Sequence, residues 1–258
     1  MPIMQPQHRF THRLHRQQGV ALFVVIVFVM LSMLLALWAS RTSLFNELVV
    51  GNDADYQRAF EAAQSLLQDA ELDIRSESPD GNPCIDPTCR DNNAAVYKIP
   101  LDKQEVTPLL ADLDQQTTKC RDGLCAKRAG RQDFWNTTSA TPLATGEAKL
   151  SDMTQPTVGA RYGQYSGAKA GDSANPANPI LADTSANNRG GWYWIEVMPY
   201  DESSKNSGLI VGGANTNNLL RLNLKPNVAY RITALAYGRK PGTMAVLQQT
   251  YVRQVRAN

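Results

Sequence analysis

Four cysteines carry the most specific chemical signal in this 258-residue sequence. They fall in two pairs of equal spacing, Cys84-Ile-Asp-Pro-Thr-Cys89 and Cys120-Arg-Asp-Gly-Leu-Cys125. In an oxidising compartment an even count reads as disulfides, and three connectivities are open. The two local pairings, Cys84 with Cys89 and Cys120 with Cys125, are preferred, because Asp86-Pro87 and Asp122-Gly123 are turn formers that let each short gap close. A four-cysteine zinc site is the competing use of paired thiols and tolerates this spacing, although an oxidising compartment argues against it. Other reactive side chains are poorly placed for catalysis. All three histidines, His8, His12 and His15, lie within the first 19 residues. If that stretch is removed, no His-based triad, dyad or metal site can form. The sequence has no Gly-x-Gly-x-x-Gly and no phosphate loop ending in Gly-Lys-Ser/Thr. Glu61 with Glu71, and Asp201 with Glu202, read as a solvated helix face and a loop. Trp192 and Trp194 share one strand face, with Tyr193 on the other. Packing between sheet and helix explains that pair better than stacking on a sugar or base. Asn136-Thr137-Thr138 matches a glycosylation sequon but carries little weight. No catalytic residue, metal or cofactor is expected, and the chain reads as a non-enzyme.

The element that must position everything else is Val20–Ala39, VALFVVIVFVMLSMLLALWA. It is uncharged, and at 1.5 Å per residue it reaches about 30 Å, the thickness of a bilayer's hydrocarbon core. Three readings compete. A secretory signal peptide has a shorter apolar core and a better small-residue cleavage site than Leu37-Trp38-Ala39. A plain single-span anchor fits the length, with Arg9, Arg13 and Arg16 held inside. A prepilin leader would be cut before the apolar run, at a Gly preceded by basic and polar residues, as in Arg16-Gln17-Gln18-Gly19-Val20. From Arg41 to Ile74 the helical spacing continues through Leu44, Leu48, Phe60, Ala63, Leu67, Ala70 and Ile74, with Glu61, Gln64, Gln68, Asp69 and Glu71 on other faces. Gly51-Asn52 predicts a softened or kinked point. Pro79, Gly81 and Pro83 end the helix.

The runs RQQGVALFVVIVFVML and NELVVGNDADYQRAFEAAQSLLQDAE resemble the N-terminal region of PilX-type minor pilins of type IV pili. The strongest part is Gly51-Asn52 followed by Ala59-Phe60-Glu61-Ala62-Ala63 and Asp69-Ala70-Glu71. Tyr230-Arg231-Ile232-Thr233-Ala234, Ala245-Val246-Leu247-Gln248 and Thr250-Tyr251 are similar to the end of that family. The resemblance implies cleavage between Gly19 and Val20 by prepilin peptidase, N-methylation of Val20 and a place in the complex that primes pilus assembly. Implied partners are other minor pilins, the major pilin, the inner-membrane assembly platform and a tip-associated adhesin. The implied location is the inner membrane with a periplasmic C-terminal domain, then the extracellular pilus tip. Most pilins carry Glu at the fifth mature position, where this chain has Val24. That departure argues against an ordinary shaft subunit more than against a minor pilin.

Formal charge is +2, from 26 basic and 24 acidic residues. Removing the three leader arginines leaves 23 basic against 24 acidic, so no electrostatic case for nucleic-acid binding remains. The expected organisation is a leader over 1–19, a transmembrane helical part over 20–40, an amphipathic part over 41–78, and a loop-rich globular domain over 79–258. Ala94–Ile99 is a possible strand and Asp102–Leu113 a short helix confined by Pro108. Ala140–Gly191 and Asp201–Asn218 read as loops suited to partner contacts. Trp192–Met198 is the clearest strand, Leu219–Leu224 alternates in part, and Val228–Tyr237 with Thr243–Val255 form a hairpin across Gly238–Gly242. Helices followed by strands imply an α+β fold, an antiparallel sheet packed on a long N-terminal helix, as in type IV pilins. The function expected is a minor pilin. The alternatives are a type II secretion pseudopilin and a single-span periplasmic binding protein.

Overall fold

The long helix anticipated from the apolar and amphipathic patterns runs unbroken as α1, Val20–Arg75, in the computed structural model, which describes residues 20–101, 103–137, 142–172, 177–199 and 228–253. The leader, Asp201–Asn218 and Leu219–Leu224 lie outside the described residues. The helical assignment continues through Gly51-Asn52, where a softened or kinked point is expected. One helical Gly costs only about 1 kcal/mol, little enough for a helix of this length to carry. The chain does divide there into two compact units, Met1–Gly51 and Asn52–Asn258. Ser76 ends α1 at a φ of 56°. The Ser76 N–H donates to Asp73 O (3.2 Å) and the Glu77 N–H to Leu72 O (3.0 Å), a Schellman closure with Ser in the usual Gly place.

In the second unit a five-stranded sheet backs the rest of α1. Its strands are β1 (Cys120–Arg121), β2 (Leu124–Cys125), β3 (Gly191–Pro199), β4 (Val228–Tyr237) and β5 (Met244–Tyr251), in that spatial order. Three of the four pairings are antiparallel, but β2 and β3 run parallel, so the sheet is mixed rather than purely antiparallel. The long connection from Cys125 to Gly191 permits this, since parallel neighbours need a crossover. β4 and β5 form the anticipated hairpin, with Tyr237 opposite Met244. Two short helices, α2 (Lys103–Asp114) and α3 (Leu150–Met153), complete the α-helices among the described residues. Pro108 is accommodated inside α2. Residues 94–99 form no strand. Side chains claim their backbone instead: Ala95 N–H donates to Asn93 Oδ1 (3.0 Å), Tyr97 N–H to Asp122 Oδ2 (3.3 Å), and Tyr97 O accepts from Arg90 Nη1 (2.9 Å).

The core lies on both faces of β3, which is why that strand reads as a continuous apolar run. On one face Tyr193, Ile195 and Val197 join Tyr230, Ile232 and Ala234 against Ala59, Ala62, Ala63, Leu66, Ala70 and Ile74 of α1. The alanines let helix and sheet approach closely. At Gly191 a Cβ would come within 2.5 Å of the Leu66 side chain, which would have to move to admit one. On the other face Trp192, Trp194 and Leu235 pack with Phe134, Met153 and the Cys120–Cys125 pair. The tryptophans therefore face away from α1, and Tyr193 takes the position expected of them. The described parts of 140–191 are largely irregular, yet they are not peripheral. Ala160 pairs with Tyr193, and Ala160, Tyr165, Ser166 and Ile180 are buried.

Candidate functional site

In the first unit the site is the surface of α1 itself. Every residue from Val20 to Val50 is exposed. The helix is long and apolar enough to cross a membrane by length and composition. Two of its hydroxyls turn inward on the backbone: Ser32 Oγ donates to Phe28 O (2.8 Å) and Thr42 Oγ1 to Trp38 O (3.0 Å). That satisfies groups which hydrocarbon would leave without partners. Val20 is the first described helical residue, and Val24 sits one turn on, exposed. Gly19, the other side of the expected cleavage, lies outside the described residues.

In the second unit three aspartates on the buried face of α1 fasten the domain to the helix. Asp55 accepts the backbone N–H groups of Arg239 (3.0 Å) and Lys240 (2.9 Å), and so caps the β4–β5 turn. Burial works to raise its pKa, but those two N–H groups, with the Thr243 hydroxyl, outweigh burial and lower it. Lys240 Nζ also donates to Asn52 Oδ1 (3.1 Å). Asp73 forms a two-pronged pair with Arg90, through Nε (2.7 Å) and Nη2 (2.6 Å), and accepts the Tyr193 hydroxyl at 3.0 Å. Arg90 Nη2 also reaches Asp122 O (2.9 Å), and its guanidinium lies 4.0 Å over the Tyr165 ring. One side chain thus binds the helix end, the β1–β2 turn and the 162–167 segment.

Asp69, 1 % exposed, accepts the Gly163 N–H (2.7 Å) and the Ser166 hydroxyl. Burial lifts its pKa to about 6 against those two hydrogen bonds, and the nearby Asp73 charge adds to the rise. This corrects the placing of Asp69 on a solvent face, where Phe60 and Leu67 were expected inside and are only half-buried. A periodicity count over apolar residues misses all three aspartates. The signal that could have found them is their place on the same stripe as Ala59, Ala62, Ala63 and Ala70.

The structure joins Cys84 to Cys89 and Cys120 to Cys125, and no cysteine is free. Cys120–Cys125 staples the β1–β2 hairpin across directly opposed residues with Cα atoms 4.1 Å apart. Asp122 and Gly123 both have positive φ, 53° and 78°, as a two-residue type I′ turn requires. The backbone of that turn is fully engaged: Asp122 N–H donates to Thr157 O (3.0 Å), Gly123 N–H to Val158 O (3.0 Å), and Gly123 O accepts from Ile195 (2.7 Å). Cys84–Cys89 closes a loop just past the end of α1, with both cysteines buried and residues 85–88 exposed.

A helix that is apolar and exposed over its first half and continues into a sheet-backed, disulfide-stapled domain defines a membrane-associated protein of pilin-like α+β architecture. The family description PilX N-terminal matches residues 18–68, and type IV pilus assembly protein PilX C-term matches residues 121–253, just over half of the chain by itself. The chain belongs to the PilX family of type IV pilus proteins. No curated protein and no solved structure matches it.

Proposed function

We propose that this chain is a minor pilin that helps prime type IV pilus assembly within a tip complex. Prepilin peptidase cuts between Gly19 and Val20, and the new N-terminal Val20 is methylated. The mature helix, 20–40 in the bilayer and 41–78 amphipathic, holds the domain of 79–258 in the periplasm until the inner-membrane platform moves the subunit into the growing pilus. There the α1 surface packs on the helices of other minor pilins and the major pilin, and a tip-associated adhesin is a further partner. The observation that carries this reading is an α1 exposed over its whole apolar length, within a chain of the PilX family. A bare apolar helix needs either lipid or other helices around it. The match of PilX C-term to residues 121–253 favours a pilus subunit over a secretion pseudopilin.

The test is the intact mass of the chain purified from membranes of cells with and without prepilin peptidase. A product that starts at Val20, carries one methyl group and depends on the peptidase is expected. A product that keeps Arg9–Gly19 in both strains would overturn the proposal in favour of a single-span periplasmic binding protein.

A further inference from the structure

The geometry points to the Cys84–Cys89 loop as a docking tip that inserts Ile85 into an apolar, basic-rimmed socket on a neighbouring pilus subunit. This rests on the minor-pilin reading, which supplies the class of partner. Ile85 is 85 % exposed, more than any large apolar residue of the membrane helix, where the highest is Trp38 at 70 %. Single solvent-facing apolar residues are ordinary on a folded surface. Ile85 differs in that its backbone is held in place while its side chain points outward. The disulfide fixes both ends of its loop, whose cysteines are buried in the domain. The Asn92 side-chain amide donates to the carbonyls on either side of it, Cys84 O and Asp86 O, each at 3.3 Å. Asp86 Oδ1 accepts the Thr88 N–H and hydroxyl, both at 2.8 Å, and the Cys89 N–H closes on Asp86 O at 2.9 Å. A loop whose backbone is ordered before it meets a partner is the arrangement that favours binding.

Charge selects the partner. Asp80, Asp86 and Asp91 are exposed within a few residues of the tip. The local cations are largely taken: Arg90 is buried against Asp73, and Arg75 pairs with Glu77 at 2.7 Å, leaving Lys169 near Asp86. An apolar point in an acidic ring complements a hydrophobic socket with Lys or Arg at its rim, and repels a second copy of the same tip. The loop also falls between residues 68 and 121, outside both family-matched stretches, as suits an element that sets this chain's own choice of partner.

The experiment places a photo-crosslinking phenylalanine analogue at position 85 of the full chain, in cells that make pili, with the same analogue at exposed Leu101 as control. The expected result is a light-dependent adduct from position 85 alone. Peptide mass should identify the partner as a different subunit that begins with a processed apolar helix. Adding D80N and D86N, which keep the turn acceptors but remove charge, lowers adduct yield several-fold. In chains without the analogue, I85D lowers recovery of the protein in sheared pili on the order of tenfold, as for a central interface residue, and I85L does not. No adduct at position 85, equal adducts at 85 and 101, or an adduct only with a second copy would overturn the docking tip. Mature mass from Val20 is read in the same samples, so a chain that keeps its leader marks failure of the pilin reading itself.

Discussion

At the scale of single residues, the decisive groups are charges that the fold takes out of water. Asp69 has a folded-state pKa of about 6 against an ordinary value of 3.8, raised chiefly by burial. The folded chain therefore holds this proton more tightly than the unfolded one. Its contribution to stability is full below the unfolded value and is lost as pH rises through about 6. Two pKa units correspond to about 3 kcal/mol. D69N keeps an acceptor for Gly163 and can donate to the Ser166 oxygen, so it should gain on the wild type by about 2–3 kcal/mol between pH 4.5 and 7.5. Denaturant unfolding of the detergent-solubilised chain at the two pH values checks this, and an unchanged difference would remove Asp69 from the account. Arg90 shows the opposite arrangement, a buried cation fully paired. R90A strands the Asp73 carboxylate and should cost about 3–5 kcal/mol. R90A with D73N should recover part of that loss in the same assay, because the stranded charge, more than the missing contact, is what destabilises.

Elements were legible where local chemistry alone decides them. Val20–Ala39 announces a helix by length and apolarity, and Asp-Gly between two cysteines announces the β1–β2 turn, because both residues tolerate the positive φ observed there. Β-strand alternation showed that Trp192 and Trp194 share a face, but not which face α1 would cover, since a period of two carries no information about the partner layer. The parallel β2–β3 pairing was illegible for the same reason: register between strands 66 residues apart is a tertiary fact. The clasp residues Asp55, Asp69 and Asp73 were hidden because a buried carboxylate looks like a surface one until its donors arrive from Arg239, Gly163 and Arg90. The β1–β2 turn carries its own prediction. A Cβ at Gly123 would meet Ala160 Cβ at 2.8 Å and sit at a φ of 78°. G123A should therefore cost at least about 1–2 kcal/mol from the left-handed conformation, with the clash added. Removing the staple with C120S and C125S should cost about 2 kcal/mol for so short a loop. Thermal unfolding of the two variants would rank them, and a neutral G123A would contradict the turn geometry.

For the whole molecule the question is how one chain serves first in a lipid bilayer and then in a protein filament. Between Val20 and Ala39 α1 offers no charge, and its one hydroxyl, Ser32, is turned onto the helix backbone. Major pilins, by the resemblance drawn from sequence, place a Glu at the fifth position to meet a neighbour's N-terminal amine. Here Val24 occupies that place, exposed and apolar. On insertion scales a carboxylate at the helix centre costs about 2.5–3.5 kcal/mol, and less this close to the helix end. V24E should therefore still insert and still be cut after Gly19. In the filament the new carboxylate would offer each neighbouring subunit the contact that Val24 withholds. If the proposed tip placement holds, the ratio of this chain to the major pilin in sheared pili, measured by quantitative mass spectrometry, should then rise as the subunit enters the shaft. An unchanged ratio with normal processing would show that position 24 does not govern placement, and would move that role to the domain surface, where the Ile85 loop is the first place to look.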